Sequence, residues 1–303
     1  MMADHRDDIV RLQPPCSGAS LEQYPVDGVS AQDSKLERVL SAKVLRYKLN
    51  ELRLVNEYQK REQQTKVSVI MPTWNRAFII ERAIDSVLRQ SYSNFEIIIS
   101  DDGSSDNTAE LVGSQYGDDP RIVYIRNLHE GVSHARNVGL ERSSGELIAY
   151  LDSDNHWSSD FLLLMVNTFV DNPGINSAYC SVQVVDNVRG RKFLRLQHYD
   201  RKQLLIRNYI DLNIFMHKRS LYEEIGGFNE QLTALVDWEL ILRYTKDNAP
   251  IALQCNLATY YLEKDFGQIT NTEDLWKNYD MVRRLHNERP ENAEEKRWMR
   301  KSC

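Results

Sequence analysis

Hydrophobic positions change their spacing along this chain, and the changes divide it into segments. Residues 1–30 carry few large apolar side chains among Pro, Gly, Ser and Asp, which predicts a disordered tail. Over 31–65 apolar residues recur at helical spacing among Lys, Arg and Glu, which predicts one amphipathic helix. After Lys66 short apolar runs alternate with helical patterns, as in parallel βαβ units. We predict an α/β domain over 66–265 and a C-terminal helix with a charged tail over 266–303.

The apolar runs also predict the individual elements of this domain. Strands are predicted at 67–71, 95–100, 121–126, 146–151, 178–185, 213–217, 251–254 and 258–262. Helices are predicted at 77–90, 131–142, 161–170, 235–246 and 274–286, with another capped by Asp106 or Asn107. The pattern indicates a mostly parallel sheet flanked by helices.

The N-terminal amphipathic helix admits three roles. Its apolar stripe packs on the α/β domain, pairs with a second copy of the chain, or lies on an anionic membrane surface. The last role is open because Lys and Arg outnumber the acidic residues between 34 and 64. Apolar stripes usually mark core or partner contacts, so packing on the domain is the first expectation.

Composition and charge exclude several classes of protein. The net charge of -6 argues against nucleic-acid binding, which usually requires a basic face. The four cysteines have no metal-ligand spacing, so we expect reduced thiols in the cytoplasm. The first twenty residues lack the apolar core of a signal peptide, and no apolar run approaches the ~20 residues of a membrane helix. We therefore predict a cytoplasmic protein, at most peripheral on the inner face of the membrane.

Two acidic residues follow the apolar run 147–151. Side chains at positions i and i+2 of an extended backbone share a face, so Asp152 and Asp154 can approach one hard cation or one phosphate-bearing ligand. The carboxyl end of a parallel strand is also where open α/β sheets bind ligands. The alternative is a turn that favours Asp, Ser and Asn.

Polar residues follow the neighbouring predicted strands as well. They are Pro72, Thr73, Asn75 and Arg76 after the first strand, Asp101 and Asp102 after the second, and Arg136 on the helix before the fourth. A nucleotide diphosphate needs an acceptor for its base N–H groups, a cation for its phosphates and a fixed guanidinium. These residues supply all three.

The order of these blocks resembles family 2 glycosyltransferases of the GT-A fold. The blocks are V-S-V-I-M-P-T-W-N-R, F-E-I-I-I-S-D-D-G-S-S-D-N-T, G-V-S-H-A-R-N-V-G-L and A-Y-L-D-S-D-N, followed by G-G-F-N-E-Q-L and V-D-W-E-L-I-L-R. The resemblance implies an inverting, Mn²⁺- or Mg²⁺-dependent enzyme of polysaccharide biosynthesis. It would transfer a hexosyl or N-acetylhexosaminyl group from a nucleotide diphosphate sugar, most often a UDP-sugar. The acceptor would be a hydroxyl of a glycan or lipid-linked glycan.

The same resemblance implies roles for the residues of the donor site. Asp101 or Asp102 would contact the base, and Pro72 with Thr73 would line the base and ribose pocket. Arg136 would contact the base or the phosphates, Asp152 the ribose or the metal, and Asp154 would ligate the cation. Asn75, Arg76 and Ser153 complete the predicted donor site.

On the acceptor side, the resemblance implies that Asp237 is the general base that deprotonates the acceptor hydroxyl. Trp157, Phe228, Trp238 and Lys264 are predicted to border the sugar or acceptor pocket, and for Trp157 the alternative is a place in the core. The chain departs from the family pattern in two places. Val236 stands where Glu often precedes the catalytic Asp, and Glu263 and Lys264 stand near the position where many members have a His.

Two other classes of function compete with this interpretation. A sugar nucleotidyltransferase would be expected to have a glycine-rich phosphate loop after the first strand, but P-T-W-N-R contains no glycine. A non-catalytic module for binding or assembly would use the helix at 34–64 to recruit partners. The retention of both Asp154 and Asp237 argues against that module.

Overall fold

The computed structural model describes residues 22–25, 34–188, 190–262 and 275–286. The predictions for Lys264, for the charged tail and for most of the N-terminal tail lie outside these residues. Glu22–Pro25, placed by the sequence analysis in the disordered tail, forms a strand antiparallel to Arg191–Leu196. Pairing at a sheet edge satisfies backbone groups whatever the apolar content of the segment, so composition gave no sign of it.

Strands and helices alternate through the described residues. The strands are β1 (Glu22–Pro25), β2 (Val67–Thr73), β3 (Phe95–Asp101), β4 (Ile122–Arg126), β5 (Leu147–Tyr150), β6 (His156–Trp157), β7 (Ser177–Asp186), β8 (Arg191–Leu196), β9 (Phe215–Lys218) and β10 (Ile251–Leu262). The helices are α1 (Ser34–Tyr58), α2 (Ile80–Leu88), α3 (Thr108–Tyr116), α4 (Val132–Arg142), α5 (Phe161–Asp171), α6 (Arg201–Ile206), α7 (Arg219–Ile225), α8 (Val236–Tyr244) and α9 (Leu275–His286), with a 3₁₀ turn at Leu212–Ile214. Among the described helices, none is both long and apolar enough to cross a membrane.

The sheet has two halves of different strand direction. The order is β1-β8-β7-β9-β5-β2-β3-β4, and the β5-β2-β3-β4 half is parallel, as predicted. The other half of the sheet is mixed in strand direction. There β9 pairs antiparallel with both β5 and β7, and β8 with β7, while β10 is parallel to β7. The apolar runs identified these segments as strands, but pairing direction depends on long-range connections that a run does not encode.

The register of the parallel half aligns the strand ends. Thr73 of β2 lies opposite Asp101 of β3, and Asp101 lies opposite Arg126 of β4. β5 runs parallel to β2, with Leu147 opposite Val67 and Tyr150 opposite Ile70. The loop after Tyr150 therefore leaves the sheet at the carboxyl edge of the parallel half. The polar segments after β2, β3 and β5 therefore converge.

Helix α1 packs on the domain through its C-terminal half. Leu54 and Tyr58 are buried in the core. Tyr58 Oη donates to Asp171 Oδ2 at 2.7 Å, and Asn50 Nδ2 donates to the carbonyl of Gln254 at 3.3 Å. The helix is thereby anchored to α5 and β10.

Gly145 supports β5 from the turn before it, and we expect Gly145→Ala to destabilise the fold. A Cβ here would lie 2.5 Å from the backbone N of Ser68 and 2.8 Å from the carbonyl O of Lys66. Backbone atoms yield little, so the free energy of unfolding should fall by about 1–3 kcal/mol, the usual cost of overpacking. Denaturant unfolding measures it. Gly113→Ala is the control, because a Cβ there meets nothing within 4 Å. Equal stability of the two variants would contradict the prediction.

Candidate active site

The predicted pair of carboxylates lies in the loop that follows β5. The N–H of Leu151 still donates to the carbonyl of Ile70 at 3.1 Å, so the chain remains attached to β2 at this point. The next N–H, that of Asp152, donates to Asn213 Oδ1 at 2.7 Å. Asp152 therefore leaves the carboxyl edge of the parallel half while a side chain from the antiparallel half holds its backbone.

The Asp152 carboxylate is shared between a guanidinium and an amide. Arg136 Nη2 donates to Oδ1 at 2.7 Å, and Asn213 Nδ2 donates to Oδ2 at 3.2 Å. The Arg136 side chain is 8% exposed, and its guanidinium lies 5.3 Å from the centroid of the Phe228 ring. These contacts hold the Asp152 carboxylate and the Arg136 guanidinium in place. Removal of either side chain would leave the charge of the other uncompensated. Arg136 Nε has no hydrogen-bond partner among the described residues, which leaves one donor for a ligand.

Asp154 carries a carboxyl group that is poorly stabilised in its ionised form. Burial raises its pKa to about 6, and the nearby charge of Asp152 raises it as well, against the opposing effect of Arg76 and Arg82. Its Oδ1 accepts a hydrogen bond from Asn155 Nδ2 at 3.1 Å. A cation placed beside this carboxylate would lower its pKa and stabilise the charge.

Asp237 lies in the first turn of α8, and the region between its carboxyl and the Arg136–Asp152 pair is referred to as the cleft. Asn208 Nδ2 donates to its Oδ2 at 2.7 Å. Burial raises the pKa of Asp237 to about 6, and the charge of Asp211 adds to this effect. The charges of Arg136 and Asp152 also act on it, with opposite signs. The carboxyl of Asp237 is therefore within electrostatic reach of the Arg136–Asp152 pair, although 85 residues of sequence separate it from Asp152.

The C-terminal part of β10 adds a phenol to this cleft. Burial raises the pKa of Tyr260, and the negative charges of Asp211, Asp154 and Asp152 raise it further. Tyr260 thus keeps its proton and lies among the acidic residues of both sides.

Asp101 and Asp102 stabilise the loops next to this cleft. Asp101 Oδ1 accepts from the N–H of Ser104 at 2.8 Å, and its Oδ2 accepts from the hydroxyl of Tyr124. Asp102 Oδ1 accepts from the N–H groups of Glu130 and Gly131 at 2.9 and 3.1 Å. Both carboxylates therefore serve loop geometry, and their predicted contact with a base stays a prediction.

The segment after β2 combines an unpartnered hydroxyl with a structural amide. Thr73 is 4% exposed, and its Oγ1 has no hydrogen-bond partner among the described residues. Asn75 has a φ of 52°, and its Oδ1 accepts from the N–H groups of Ser105 and Asp106 at 2.8 and 3.2 Å. Asn75 thus ties the loops after β2 and β3, next to Thr73. Buried polar groups are normally hydrogen-bonded, so the unpartnered Oγ1 of Thr73 is suited to a polar ligand at this edge of the sheet.

The two predicted pocket tryptophans lie in the core instead. Trp157 is 3% exposed, stacks on Phe161 at 3.9 Å, and donates its ring N–H to the carbonyl of Asn213. Trp238 is 1% exposed and stacks on Tyr279 at 5.3 Å. The sequence prediction for both is corrected here, because a sugar cannot reach a face already covered by another ring.

Phe228 and Ser153, also predicted as site residues, are both buried. The Phe228 ring lies 5.3 Å from the Arg136 guanidinium and meets the ring of Tyr150 edge-on at 5.4 Å. The ring thus packs between Arg136 and the core. Asn137 holds the backbone of Phe228 at both its N–H and its carbonyl, at 2.7 and 3.0 Å. Phe228 therefore positions the site rather than forming an exposed wall of it.

Sequence reasoning missed several polar residues that the fold brings to the cleft. They are Arg82, Asn208, Asp211, Asn213 and Tyr260. One signal was present, because Asn208, Asp211 and Asn213 interrupt an otherwise apolar stretch. Polar residues that interrupt such a stretch need partners, which here are the carboxylates of the site.

Comparison with known proteins gives this arrangement a context. Residues 68–228 match the family model described as Glycosyl transferase family 2. One relative is the UDP-Glc:alpha-D-GlcNAc-diphosphoundecaprenol beta-1,3-glucosyltransferase WfgD of Escherichia coli. It is 31% identical over 221 residues, which are 71% of this chain and 85% of that protein. Some other curated relatives are longer, and the chain covers only 18% to 22% of them.

Two solved structures have the same fold. One is S. aureus TarS 1-349 in complex with UDP-GlcNAc, with a TM-score of 0.61 and 20% identity over 76% of this chain and 69% of that one. The other is the mannosyltransferase PcManGT from Pyrobaculum calidifontis in complex with GDP-Man and Mn²⁺. Its TM-score is 0.53, with 20% identity over 76% of this chain and 68% of that one. At this identity the likeness concerns the fold.

Proposed function

Since the chain belongs to glycosyl transferase family 2, and is thus a nucleotide-sugar glycosyltransferase, we propose that it is an inverting enzyme using UDP-sugars. It moves one hexosyl or N-acetylhexosaminyl group to a hydroxyl of a lipid-linked glycan in polysaccharide assembly. The names of the relatives support the donor and the acceptor, since one uses UDP-Glc on a diphosphoundecaprenol-linked sugar and another was solved with UDP-GlcNAc. The free, buried Cys180 and Cys255 fit a cytoplasmic location.

One observation carries the proposal: the short segment 208–213 hydrogen-bonds the general-base candidate Asp237 through Asn208 and the Arg136–Asp152 pair through Asn213. An inverting displacement needs a proton acceptor on one side of the sugar carbon and stabilisation of the leaving diphosphate on the other. Thr73, Arg136 and Asp152 belong to the parallel half of the sheet and its connections, whereas Asp237 lies on α8, so the proposed donor groups and the proposed base come from different elements. This is the division of roles that the reaction requires.

On the donor side, the nucleotide would lie along the carboxyl edge of β2 and β3. Thr73 Oγ1 and Arg136 Nε supply hydrogen-bonding groups that lack partners among the described residues. The N-terminus of α4, where Ser133 Oγ is likewise buried without a partner, adds N–H groups suited to an anion. The base and phosphates would bind between these groups, with Asp102 and Asn75 holding the surrounding loops.

The residues present also fit a divalent cation. Asp154 is a desolvated carboxylate with a raised pKa, whereas both oxygens of Asp152 are already hydrogen-bonded. Asp154 would therefore be the principal protein ligand, with Asp152 beside it. Within the described residues no group of three or more acidic, His or Cys side chains is arranged to hold a metal alone. Mg²⁺ is commonly bound by one or two carboxylates together with substrate phosphates and water. Bound there, Mn²⁺ or Mg²⁺ would neutralise the departing diphosphate.

The protein residues then divide the work of transfer. Asp237 accepts the proton of the acceptor hydroxyl as the oxygen attacks the anomeric carbon. The bond from that carbon to the diphosphate oxygen breaks, and the leaving charge develops on the side of Arg136. Attack opposite the leaving group inverts the configuration.

Transfer from a panel of UDP-sugars to a synthetic prenyl-diphosphate-linked sugar tests this function. The purified full chain should release UDP and form one product, whose anomeric configuration by NMR is opposite to that of the donor. Retention of configuration would refute the mechanism. Cation-dependent UDP-sugar binding without transfer to any acceptor would favour the non-catalytic alternative.

Asn208 is expected to act as a positioning residue for Asp237. Its amide fixes one oxygen of the Asp237 carboxylate. Loss of a hydrogen bond to a charged group costs about 1.5–3 kcal/mol, so Asn208→Ala should lower kcat by roughly 10- to 100-fold, with little change in the KM for the donor. Without this donor the pKa of Asp237 should rise, so the acidic limb of the pH–rate profile should move to higher pH. Steady-state kinetics from pH 5 to 8 measures both effects.

Asn248→Ala is the matched control, since Asn248 bonds only distant backbone groups among the contacts described, those of Gly174 and Asn176. It should leave the pH profile unchanged. An Asn208→Ala enzyme with wild-type kcat and an unshifted profile would contradict the positioning role.

A further inference from the structure

Three leucines on the outer face of α1 are not used by the packing of this helix on the domain. Leu45, Leu49 and Leu52 are 58%, 57% and 55% exposed. Their 4-and-3 spacing places them in one stripe along the helix. The buried face of the same helix, with Leu54 and Tyr58, lies on the other side. The outer face thus presents about two turns of apolar surface.

The residues that flank this leucine stripe are basic. Arg46 and Arg53 border one side and Lys48 the other, by helical periodicity. Lys48 pairs with Glu51 at 2.5 Å, and the Arg53 guanidinium meets the Asn50 amide oxygen at 3.4 Å. Over Ser34–Tyr58 the helix has six Lys or Arg and three Glu, although the whole chain has a net charge of -6. Positive charge is therefore concentrated on the helix that carries the exposed leucines.

We propose that the leucine stripe of α1 and its basic flanks dock the enzyme on an anionic lipid bilayer. This inference rests on the proposed function, because a lipid-linked acceptor lies at a membrane surface. Leucines that enter the headgroup region, bordered by Lys and Arg that meet anionic lipids, are the arrangement by which amphipathic helices bind in the interface plane. Each basic residue near such a surface strengthens binding roughly fivefold.

Pairing with a second copy of the chain is disfavoured by the same residues. In a coiled coil built on the 45–49–52 seam, Arg46, Lys48 and Arg53 occupy the flanking positions that face the partner helix. Both copies would present positive charge there, and like charges across such an interface repel. The positions that would extend this seam are polar, since Asn56 stands one turn later and Arg38 two turns earlier. Charge complementarity thus selects an anionic surface over another copy.

Vesicle flotation of the full chain tests the proposal. Wild type should float with phosphatidylglycerol-containing vesicles and much less with pure phosphatidylcholine, and 0.5 M salt should weaken the binding. The triple variant Leu45→Gln/Leu49→Gln/Leu52→Gln should lower partitioning at least tenfold, because three apolar side chains are removed. Arg46→Glu/Arg53→Glu should lower it by a similar factor. The control Val170→Gln/Val188→Gln/Leu285→Gln, at residues 55%, 44% and 53% exposed, should float like wild type.

Two further measurements keep the outcome decisive. Circular dichroism and transfer to a water-soluble acceptor should be unchanged in the leucine variant, so failure of docking is separable from failure of the enzyme function. Flotation equal to wild type for the leucine variant, or equal binding to neutral and anionic vesicles, would overturn the proposal. So would a dimer in sedimentation equilibrium that this variant dissociates in the absence of vesicle binding.

Discussion

Asp237→Asn is expected to lower the rate of sugar transfer by about 10²- to 10⁴-fold, the usual contribution of a general base. The amide keeps the shape of the side chain and still accepts the hydrogen bond from Asn208, but it accepts no proton. Donor affinity should stay within a few-fold of wild type, because the groups proposed to bind the nucleotide lie on the other side of the cleft. Single-turnover transfer with calorimetric UDP-sugar binding measures both.

The control for this substitution is Asp280→Asn, which removes one charge from an exposed position on α9. It should leave transfer and binding unchanged. Transfer at wild-type rates in the Asp237 variant would eliminate this residue as the base. Loss of donor binding in that variant would instead place Asp237 on the nucleotide side.

The raised pKa of Asp237 predicts the pH dependence of activity. At a pKa of about 6 the base is ionised at neutral pH and becomes protonated as the pH falls. The transfer rate should therefore fall about tenfold per pH unit below 6, with Asp211, Asp152 and Arg136 as the charged neighbours that set the midpoint.

The raised pKa of Asp237 also affects stability. Ionisation of this carboxyl favours activity but lowers the free energy of unfolding. The ionised Asp237 costs folding free energy above pH 6, because the folded state holds the proton more tightly than the unfolded chain does. The cost is on the order of 1–3 kcal/mol at neutral pH and disappears below about pH 4. Asp237→Asn should thus raise Tm at pH 7 but not at pH 4. Asp237 would thus serve catalysis while its ionised carboxylate lowers the free energy of unfolding at neutral pH.

The second large effect is expected for Asp154→Ala. If this carboxylate ligates the cation, its removal should weaken Mn²⁺-dependent UDP-sugar binding at least tenfold and lower transfer by roughly 10²-fold or more. The reason is that metal stabilisation of a departing charge is worth several kcal/mol. Titration of UDP-sugar with and without Mn²⁺, followed by fluorescence or calorimetry, measures the cation-dependent part of binding directly.

Asp118→Ala, at an exposed loop position, is the control that removes a carboxylate of the same type. The stability of the Asp154 variant is informative in itself. Its carboxyl is desolvated beside Asp152, so without metal its removal should not lower Tm. Full metal-dependent binding by the Asp154 variant would show that the cation, if it binds, is held elsewhere.

These two carboxylates differ in how well the sequence alone revealed them. Asp154 directly follows a buried strand, and the local alternation of strands and helices is enough to predict its place at the carboxyl edge of the sheet. Asp237 was found through a resemblance, because an acid in the first turn of a helix is common and has no local signature of catalysis. Its role as base stays a prediction, as does the role of Asp154 as a metal ligand.

The sequence also misled at positions where burial decides the role. Trp157 lies three residues after Asp154, and Trp238 directly follows Asp237, yet both rings stack on other aromatic rings of the core. The periodic pattern of polar and apolar residues predicts which face of a helix or strand is buried. It does not state what lies against that face, and for an aromatic residue this decides between a binding wall and the core.

What the sequence determined by itself was local: most of the strands and helices, though not β1, β6, β8, α6 or α7, together with the α/β class, the family blocks and the apolar stripe of α1, because each follows from short-range spacing. What only the tertiary structure decided was long-range. Examples are the antiparallel half of the sheet, the hydrogen bonds of Asn208 and Asn213 to the site carboxylates, and the electrostatic contact of Asp237 with Arg136. The physical reason is that these contacts join segments tens of residues apart, and their partners are chosen by how the whole sheet packs rather than by either segment alone.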